Sequence, residues 1–318
     1  MAVTARAHPN VALLKYWGKQ TRAGNLPAVP SLSITLDSLH TTTTVDASQR
    51  DAVILNDELV EDAKIGTALS LWRQTLAIPP LKIISTNNFP TAAGLASSAS
   101  GFAALITALN IWADLGLSEA QRSDLARQAS GSAARSIFGG YVELSGPDWL
   151  AVPVAPREHW PLNVVIAITS ESRKATSSSS GMRLSQRTSA FFDAWTRTTA
   201  EGLAPMREAI MQRDFAALAE QAEASCLMMH AVMLSSRPGL MYWNPSTLAC
   251  LHQVRDLRSS GVPVFFTVDA GPQVKAICQP QAVPDVVAAL NTVPGVLRTV
   301  TCGLGGDATR IDPELTDR

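Results

Sequence analysis

Residues 90–101 read PTAAGLASSASG, a stretch in which every side chain except Leu95 is small. Small side chains let backbone N–H groups approach an oxygen-rich anion closely. An apolar stretch follows, residues 101–113, which predicts a buried helix whose start adds partial positive charge. Pro90, Ala92, Ala93, Gly94, Leu95, Ala96, Ser97 and Ser98 are therefore candidates for cradling a polyphosphate, and the Ser98 hydroxyl could serve phosphate oxygens or a Mg²⁺ ion. The loop has neither the Gly-Lys-Ser/Thr of a Walker A loop nor the GxGxxG of a dinucleotide fold. Taken alone, a Gly/Ser turn with a serine cap is the plainer reading.

Four other clusters could meet an anionic ligand. Residues 10–19, NVALLKYWGK, set Lys15, Tyr16 and Lys19 beside an apolar run. They could neutralise a multiply charged anion, or form an amphipathic strand with its lysines in solvent. Residues 130–140, SGSAARSIFGG, offer Arg135, whose planar fork can grip a carboxylate by two parallel hydrogen bonds, with Ser130 and Ser132 as phosphate donors. The plainer alternative is a surface helix end. Asp269 closes an apolar run just before Gly271-Pro272, where it could act as a general base or cap the turn. Residues 174–182, KATSSSSGM, could be a flexible linker. The turn 303–307, GLGGD, is a weaker phosphate candidate, and His230 among its methionines reads as helix packing rather than a metal ligand.

The elements that must position these groups change character near residue 160. Before it, residues 33–36, 41–45 and 81–85 read as strands, the small-residue loop follows, and Ser118 with Gln121 marks a helix start. A polar connector at 157–161 leads to a strand at 162–169. Helical patterns at 184–198, 203–212, 215–233 and 246–259 come next, then strands at 262–268 and 274–278, a helix at 282–291 and a strand at 296–301. That order predicts an antiparallel α+β sandwich. A length of 318 residues fits about two domains. With 26 Lys and Arg against 27 Asp and Glu, the net charge of −1 provides no bulk field for nucleic acid or an anionic membrane. No run is apolar for long enough to span a bilayer, and residues 1–10 carry no apolar leader segment. The four cysteines are widely spaced and read as reduced, buried thiols, so a soluble cytoplasmic protein is expected.

Residues 90–101 resemble the ATP-binding loop of the GHMP kinase superfamily, and in full that of the mevalonate diphosphate decarboxylases. Residues 15–19, KYWGK, and the later Asn25-Leu26-Pro27 and Ser31-Leu32-Ser33 are similar to the family's substrate-binding segment. Residues 130–140 resemble its SGSACRSLFGG, with Ala134 replacing the cysteine. Asp269 sits in its DAGPN context with Gln273 replacing the asparagine, and residues 174–182 resemble KxVSSxxGM.

The resemblance implies an α+β protein of the GHMP kinase fold. Residues 1–160 would form an ATP-binding α/β domain of the ribosomal protein S5 domain 2-like type. Residues 161–318 would form a ferredoxin-like α/β sandwich, with the active site in the cleft and a homodimer as the common assembly. It also implies that Tyr16 and Lys19 face the substrate's 5-phosphates, with Ser130 and Ser132 near them. Lys15 would lie near the reacting hydroxyl, Arg135 would hold the C1 carboxylate, and Asp269 would contact the C3 hydroxyl. Lys174, Ser177 and Ser178 would close over nucleotide and substrate as a lid that is mobile when empty. The implied reaction is ATP- and Mg²⁺-dependent decarboxylation of mevalonate 5-diphosphate to isopentenyl diphosphate, ADP, phosphate and CO₂, in isoprenoid biosynthesis. Alternatives are a decarboxylase of the 5-monophosphate, a 3-kinase without CO₂ loss, and a non-catalytic nucleotide-binding regulator. Retention of Lys15, Arg135 and Asp269 together argues against the last.

Overall fold

In the computed structural model, residues 1–22, 24–89, 95–172 and 174–312 are described. Period-two patterning builds the first sheet. In Thr41–Ala47 (β4) the buried positions are Thr41, Thr43 and Val45, while the residues between them face outward. Val3–Ala7 (β1) and Leu81–Asn87 (β7) flank β4 antiparallel. Ala52–Leu55 (β5) runs parallel to β7 and pairs with Glu58–Val60 (β6). The far edge is Thr309–Ile311 (β14), which returns from the C-terminal end of the chain to pair with β1.

A second sheet orders Asn10–Leu14 (β2), Ser31–Thr35 (β3), Tyr141–Ser145 (β8) and Leu150–Ala155 (β9). Packed on these sheets are helices Ala63–Trp72 (α1), Ser97–Trp112 (α2) and Glu119–Ala129 (α3). Ser118 caps α3 through a full capping box with Gln121, as its sequence spacing predicts. The apolar run does form the central helix, but α2 begins at Ser97 rather than at 101, so the candidate serines belong to its first turn. Its middle is buried on nearly every face, from Phe102 to Leu109.

The third sheet is antiparallel in the order Val264–Val268 (β11), Val274–Cys278 (β12), Asn163–Ile168 (β10) and Arg298–Cys302 (β13). Its helices are Ser178–Thr188 (α4), Phe192–Glu201 (α5), Leu203–Gln212 (α6), Phe215–Leu234 (α7), Pro245–Ser259 (α8) and Val283–Asn291 (α9). The single helical pattern expected over 184–198 is two helices: α4 ends at Thr188 with Ser189 extended, and α5 starts at Phe192. The expected serine linker is also corrected. Ser177 caps α4, accepting from the Ser180 N–H at 3.2 Å, and the tract becomes the helix's first turn.

The turn 303–307 is a clasp rather than a phosphate site. Gly139 N–H donates to Asp307 Oδ1 at 2.7 Å, Gly140 N–H to Gly305 O at 3.0 Å, and Gly305 N–H to Thr35 O at 2.8 Å. A Cβ on Gly139 would lie 2.6 Å from Gly306 Cα, so the two backbones approach at a distance that only glycine permits.

Candidate active site

One cavity of about 570 Å³ lies where the N-terminal half meets α4 and the β11–β12 hairpin. Three described elements bring the three predicted catalytic groups to it. Lys15 follows β2, Arg135 sits in a 3-10 turn at Gly131–Ile137, and Asp269 follows β11.

Asp269 is held from both sides. Lys15 Nζ donates to its Oδ1 at 2.5 Å, and Lys275 Nζ lies 3.0 Å from its Oδ2. Both lysine side chains are 1% exposed, whereas Asp269 is 27% exposed and looks into the cavity. Burial pushes the Asp269 carboxyl up, but the two ammoniums outweigh it and hold it well below the usual carboxylate range. The Asp269 carboxylate pairs with two lysines rather than capping the turn, where its backbone carbonyl accepts from Gly271 N–H, and Lys15 is not in solvent. Gln273, where the family pattern has asparagine, is itself fully buried. Its Oε1 accepts from Thr169 N–H at 2.7 Å and its Nε2 donates to Ser170 O at 2.5 Å, pinning the hairpin to the end of β10.

Arg135 is 1% exposed, not the exposed end of a surface helix. Its fork is spread over neutral acceptors. Nε donates to Ser33 Oγ at 2.9 Å, Nη1 to Ser31 Oγ, and Nη2 to Asn10 Oδ1 at 3.2 Å. Asn10 also donates to Ser132 O and Ser136 Oγ, tying β2 to the turn that carries Arg135. Burial lowers the guanidinium to about 10, against the attraction of Tyr16 and Asp269, so it stays protonated at neutral pH. A buried cation whose hydrogen bonds among the described residues go to neutral acceptors at a cavity wall suits an incoming carboxylate.

The remaining candidates line the other walls. Tyr16 stands over Gly131, where a Cβ would collide with its ring. Its buried Oη has no hydrogen-bond partner among the described residues. Lys19 donates to Asn25 Oδ1 at 2.7 Å and Ser179 Oγ at 3.1 Å. Burial lowers its pKa, and nearby Arg183 and Lys64 lower it further. Ser130 meets Ser98 through their hydroxyls at 3.3 Å. Ala96, Ser97 and Ser98 reach the cavity, with Ala96 in the left-handed region at φ 57°, a strained conformation for a residue bearing Cβ. Lys174 donates to Ser178 Oγ at 2.7 Å and Ala270 O at 3.1 Å; with Ser177 and Ser178 it forms the α4 wall.

Leu95 is the exception. It is 5% exposed in the apolar core and borders a separate, smaller hollow beside Phe89 and Ile166, because an isobutyl side chain gains more from burial than from facing a polar cleft. Pro90, Ala92, Ala93 and Gly94 lie outside the described residues. His230 packs against Trp243 at 4.5 Å between ring centroids, and burial lowers its pKa to about 4.

In a chain of net charge −1, the described lining of this cavity carries six cationic side chains and one acid, Asp269. Such a lining suits a polyanion, and its single carboxylate can accept from a hydroxyl or another donor.

Comparison with known proteins supports the same assignment. A family model described as the diphosphomevalonate decarboxylase-like N-terminal domain matches residues 7–148, and one for the mevalonate 5-diphosphate decarboxylase C-terminal domain matches residues 164–305. The diphosphomevalonate decarboxylase of Candida albicans is 37% identical over 298 residues, covering 85% of this chain and 82% of the relative. The chain belongs to the diphosphomevalonate decarboxylase family. The human diphosphomevalonate decarboxylase is 36% identical, with 91% and 80% of the two chains covered. Mevalonate diphosphate decarboxylase from Staphylococcus aureus superposes with a TM-score of 0.91 at 35% identity over 98% of each chain. A chain designated MDDEF, solved in complex with MVAPP, AMPPCP and magnesium, superposes with a TM-score of 0.90 at 37% identity, over 98% of this chain and 99% of its own. The architecture is thus the GHMP kinase fold of these decarboxylases.

For this diphosphomevalonate decarboxylase family member, reading motifs misses four polar groups at the site. Asn10 orients Arg135, Lys275 backs Asp269, and Lys64 and Arg183 add cations to the cavity. Lys64 comes with α1, whose Ala63, Ala68 and Leu71 give the decarboxylase cavity its apolar flank. Lys275 has a sequence signature. It is the single charged residue of VKAIC, a strand buried at every position.

Proposed function

We propose that the chain catalyses ATP-dependent decarboxylation of mevalonate 5-diphosphate to isopentenyl diphosphate, ADP, phosphate and CO₂. The observation that carries this reading is the joining of Lys15, Arg135 and Asp269 in one cation-rich cavity that the first turn of α2 also enters. A saturated acid loses CO₂ only if its electron pair has somewhere to go. Phosphorylating the tertiary C3 hydroxyl makes a leaving group; when the C–O bond breaks, the C1–C2 electron pair forms the new double bond as CO₂ departs. Asp269 orients the hydroxyl. An acid so strongly stabilised as its anion is a poor proton acceptor, and a loose phosphoryl transfer asks little of a base. Lys15 and the start of α2 stabilise the transferring phosphoryl, and Arg135 aligns the carboxylate with the departing phosphate. Tyr16, Lys19, Ser130 and Ser132 take the 5-diphosphate, and the apolar face of α1 takes the base.

The metal fits as a partner of the nucleotide. Among the described residues no cluster of three acidic, histidine or cysteine side chains could hold an ion, and the hydroxyls of Ser97 and Ser98 in the first turn of α2 would assist the phosphate oxygens that carry it. That donor set suits Mg²⁺, which keeps waters and prefers phosphates. When bound, Mg²⁺ neutralises charge on the transferring phosphoryl. Among the described residues no helix is long and apolar enough to cross a membrane. The buried, unpaired Cys226, Cys250, Cys278 and Cys302 support a cytoplasmic setting. We also propose a boundary near residue 160 between the nucleotide and ferredoxin-like domains, and a homodimer as the working assembly.

The test is to supply ATP and Mg²⁺ with mevalonate, its 5-phosphate or its 5-diphosphate, and to count ADP and CO₂. Equal ADP and CO₂ with the diphosphate is the expected result. ADP without CO₂ makes the protein a kinase, and turnover confined to the monophosphate shifts the substrate.

Lys174 gives a pH signature. Burial pushes its ammonium down to about 8, against the attraction of Asp269. A bound phosphate favours the charged form, so ATP binding near pH 8 takes up a proton. Affinity then falls as pH rises through that value, by at most about tenfold per unit. Calorimetry in buffers of different ionisation enthalpy should show this uptake, and Lys174→Met should remove it. Uptake unchanged in the variant would place Lys174 away from the phosphates.

A further inference from the structure

Asp269 has two cationic partners where one would satisfy its charge, and the two occupy different positions. Lys15 lies on the cavity wall, bound to Oδ1. Lys275 lies behind the carboxylate, on β12 opposite Thr267, bound to Oδ2. Bringing a second fully buried ammonium to one carboxylate is costly, since each loses its hydration and they repel each other. Burial lowers the pKa of Lys275 for this reason, against the pull of Asp269. A strand position between Val274 and Ala276 would hold a valine or leucine more cheaply.

We infer that Lys275 is a positioning residue: it keeps Asp269 ionised and in place, so that Lys15 can leave Asp269 for the substrate during phosphoryl transfer. This rests on the assignment of Lys15 and Asp269 given under the proposed function. Bound to Asp269, Lys15 has part of its charge neutralised and a donor occupied. Withdrawn toward a phosphoryl oxygen, it would leave a largely enclosed carboxylate that takes up a proton, unless a second cation stays behind. The other groups around Asp269 do not fill this role. Arg135 is committed to Ser31, Ser33 and Asn10, Lys174 is on the α4 wall, and on α7 burial disfavours both the Cys226 thiolate and the charged form of His230. Among the described residues, Lys275 reaches Asp269 from outside the cavity lining, 1% exposed, where no substrate competes for it.

The first test does not depend on turnover. In ligand-free Lys15→Met protein, the Asp269 carboxyl is followed by ¹³C NMR against pH and assigned by its loss in the Lys15→Met/Asp269→Asn double variant. The expected result is a carboxyl still below the usual carboxylate range, held by Lys275. A carboxyl that rises to or above that range overturns the inference, whatever reaction the enzyme performs.

The second test is kinetic. Lys275→Met should lower kcat by about 10–100-fold, the scale seen when the partner that orients a reactive group is lost. The acid limb of its kcat–pH profile should move upward, with KM nearly unchanged, and Lys275→Arg should restore the limb. An unmoved limb in folded Lys275→Met, or an arginine variant that behaves like the methionine one, overturns the inference. Absence of turnover in the wild type would instead remove the functional reading and leave the NMR result standing. If Lys275→Met does not fold, the Lys15→Met titration still decides.

Discussion

Asp269→Asn should lower turnover by about 10³-fold or more while ATP and substrate still bind, because the change removes a charge aimed at the reacting hydroxyl but keeps the shape of the site. Asparagine can present one oxygen to Lys15 or Lys275 but cannot neutralise either, so the cavity gains a unit of net positive charge. Binding of a polyanion should therefore hold or tighten, and the loss should fall on kcat. ADP and CO₂ should decline together, since the hydroxyl must be phosphorylated before any carbon–carbon bond breaks. The variant should also be less stable at neutral pH. Breaking a buried ion pair costs about 3–5 kcal/mol, reduced here because the carboxylate is partly open to the cavity.

That stability difference has a pH signature. The folded-state pKa of Asp269 is depressed, so its contribution is complete above the unfolded carboxylate range and fades as pH falls below it. Wild type and variant should thus converge in strong acid. Single-turnover assays with thermal denaturation at neutral and acidic pH check each part. Unimpaired turnover would remove Asp269 from the chemistry.

Much of this site was legible in the sequence because function constrained residue type and spacing. The small-residue run, the Arg135 turn and Asp269 before Gly271-Pro272 each stand out in one dimension, and among the described residues Ala96, Ser97 and Ser98 of that run share one cavity with Arg135 and Asp269. Depth was not legible. Lysine is ordinarily solvated, so neither the burial of Lys15 nor that of Lys275 follows from its surroundings alone, although the charge within VKAIC marks the second. The elements most easily read were those with long or unbroken apolar stretches, such as α2, α7 and β11. The edge pair β5 and β6 and the ten-residue α1 are short, yet α1 supplies Lys64 to the cavity. Sequence order also concealed β14, whose pairing with β1 joins the two ends of the chain. The α4–α5 break falls in an unbroken helical pattern, where Ser189 turns extended and its hydroxyl bonds Ser235 on the neighbouring helix end, a tertiary contact that local propensity cannot report.

Arg135→Lys, conservative in charge, should lower kcat/KM by about 10²–10³-fold, because a point charge cannot reproduce a planar fork. Arg135 is fixed by Ser31, Ser33 and Asn10 before substrate arrives, so its orientation is built in advance. An ammonium on a flexible stem can satisfy one or two of those acceptors and still attract a carboxylate, but it cannot dictate the carboxylate's plane. That plane matters in the second half of the reaction, when the carbon–carbon bond must line up with the breaking carbon–oxygen bond. The two variants should therefore differ in kind. Asp269→Asn slows ADP and CO₂ together, whereas Arg135→Lys should release ADP ahead of CO₂, with the 3-phosphorylated acid detectable by ³¹P NMR in the interval. If ADP and CO₂ instead fall in strict proportion in Arg135→Lys, the guanidinium serves binding alone and the alignment of the cleaved bond must come from elsewhere in the cavity.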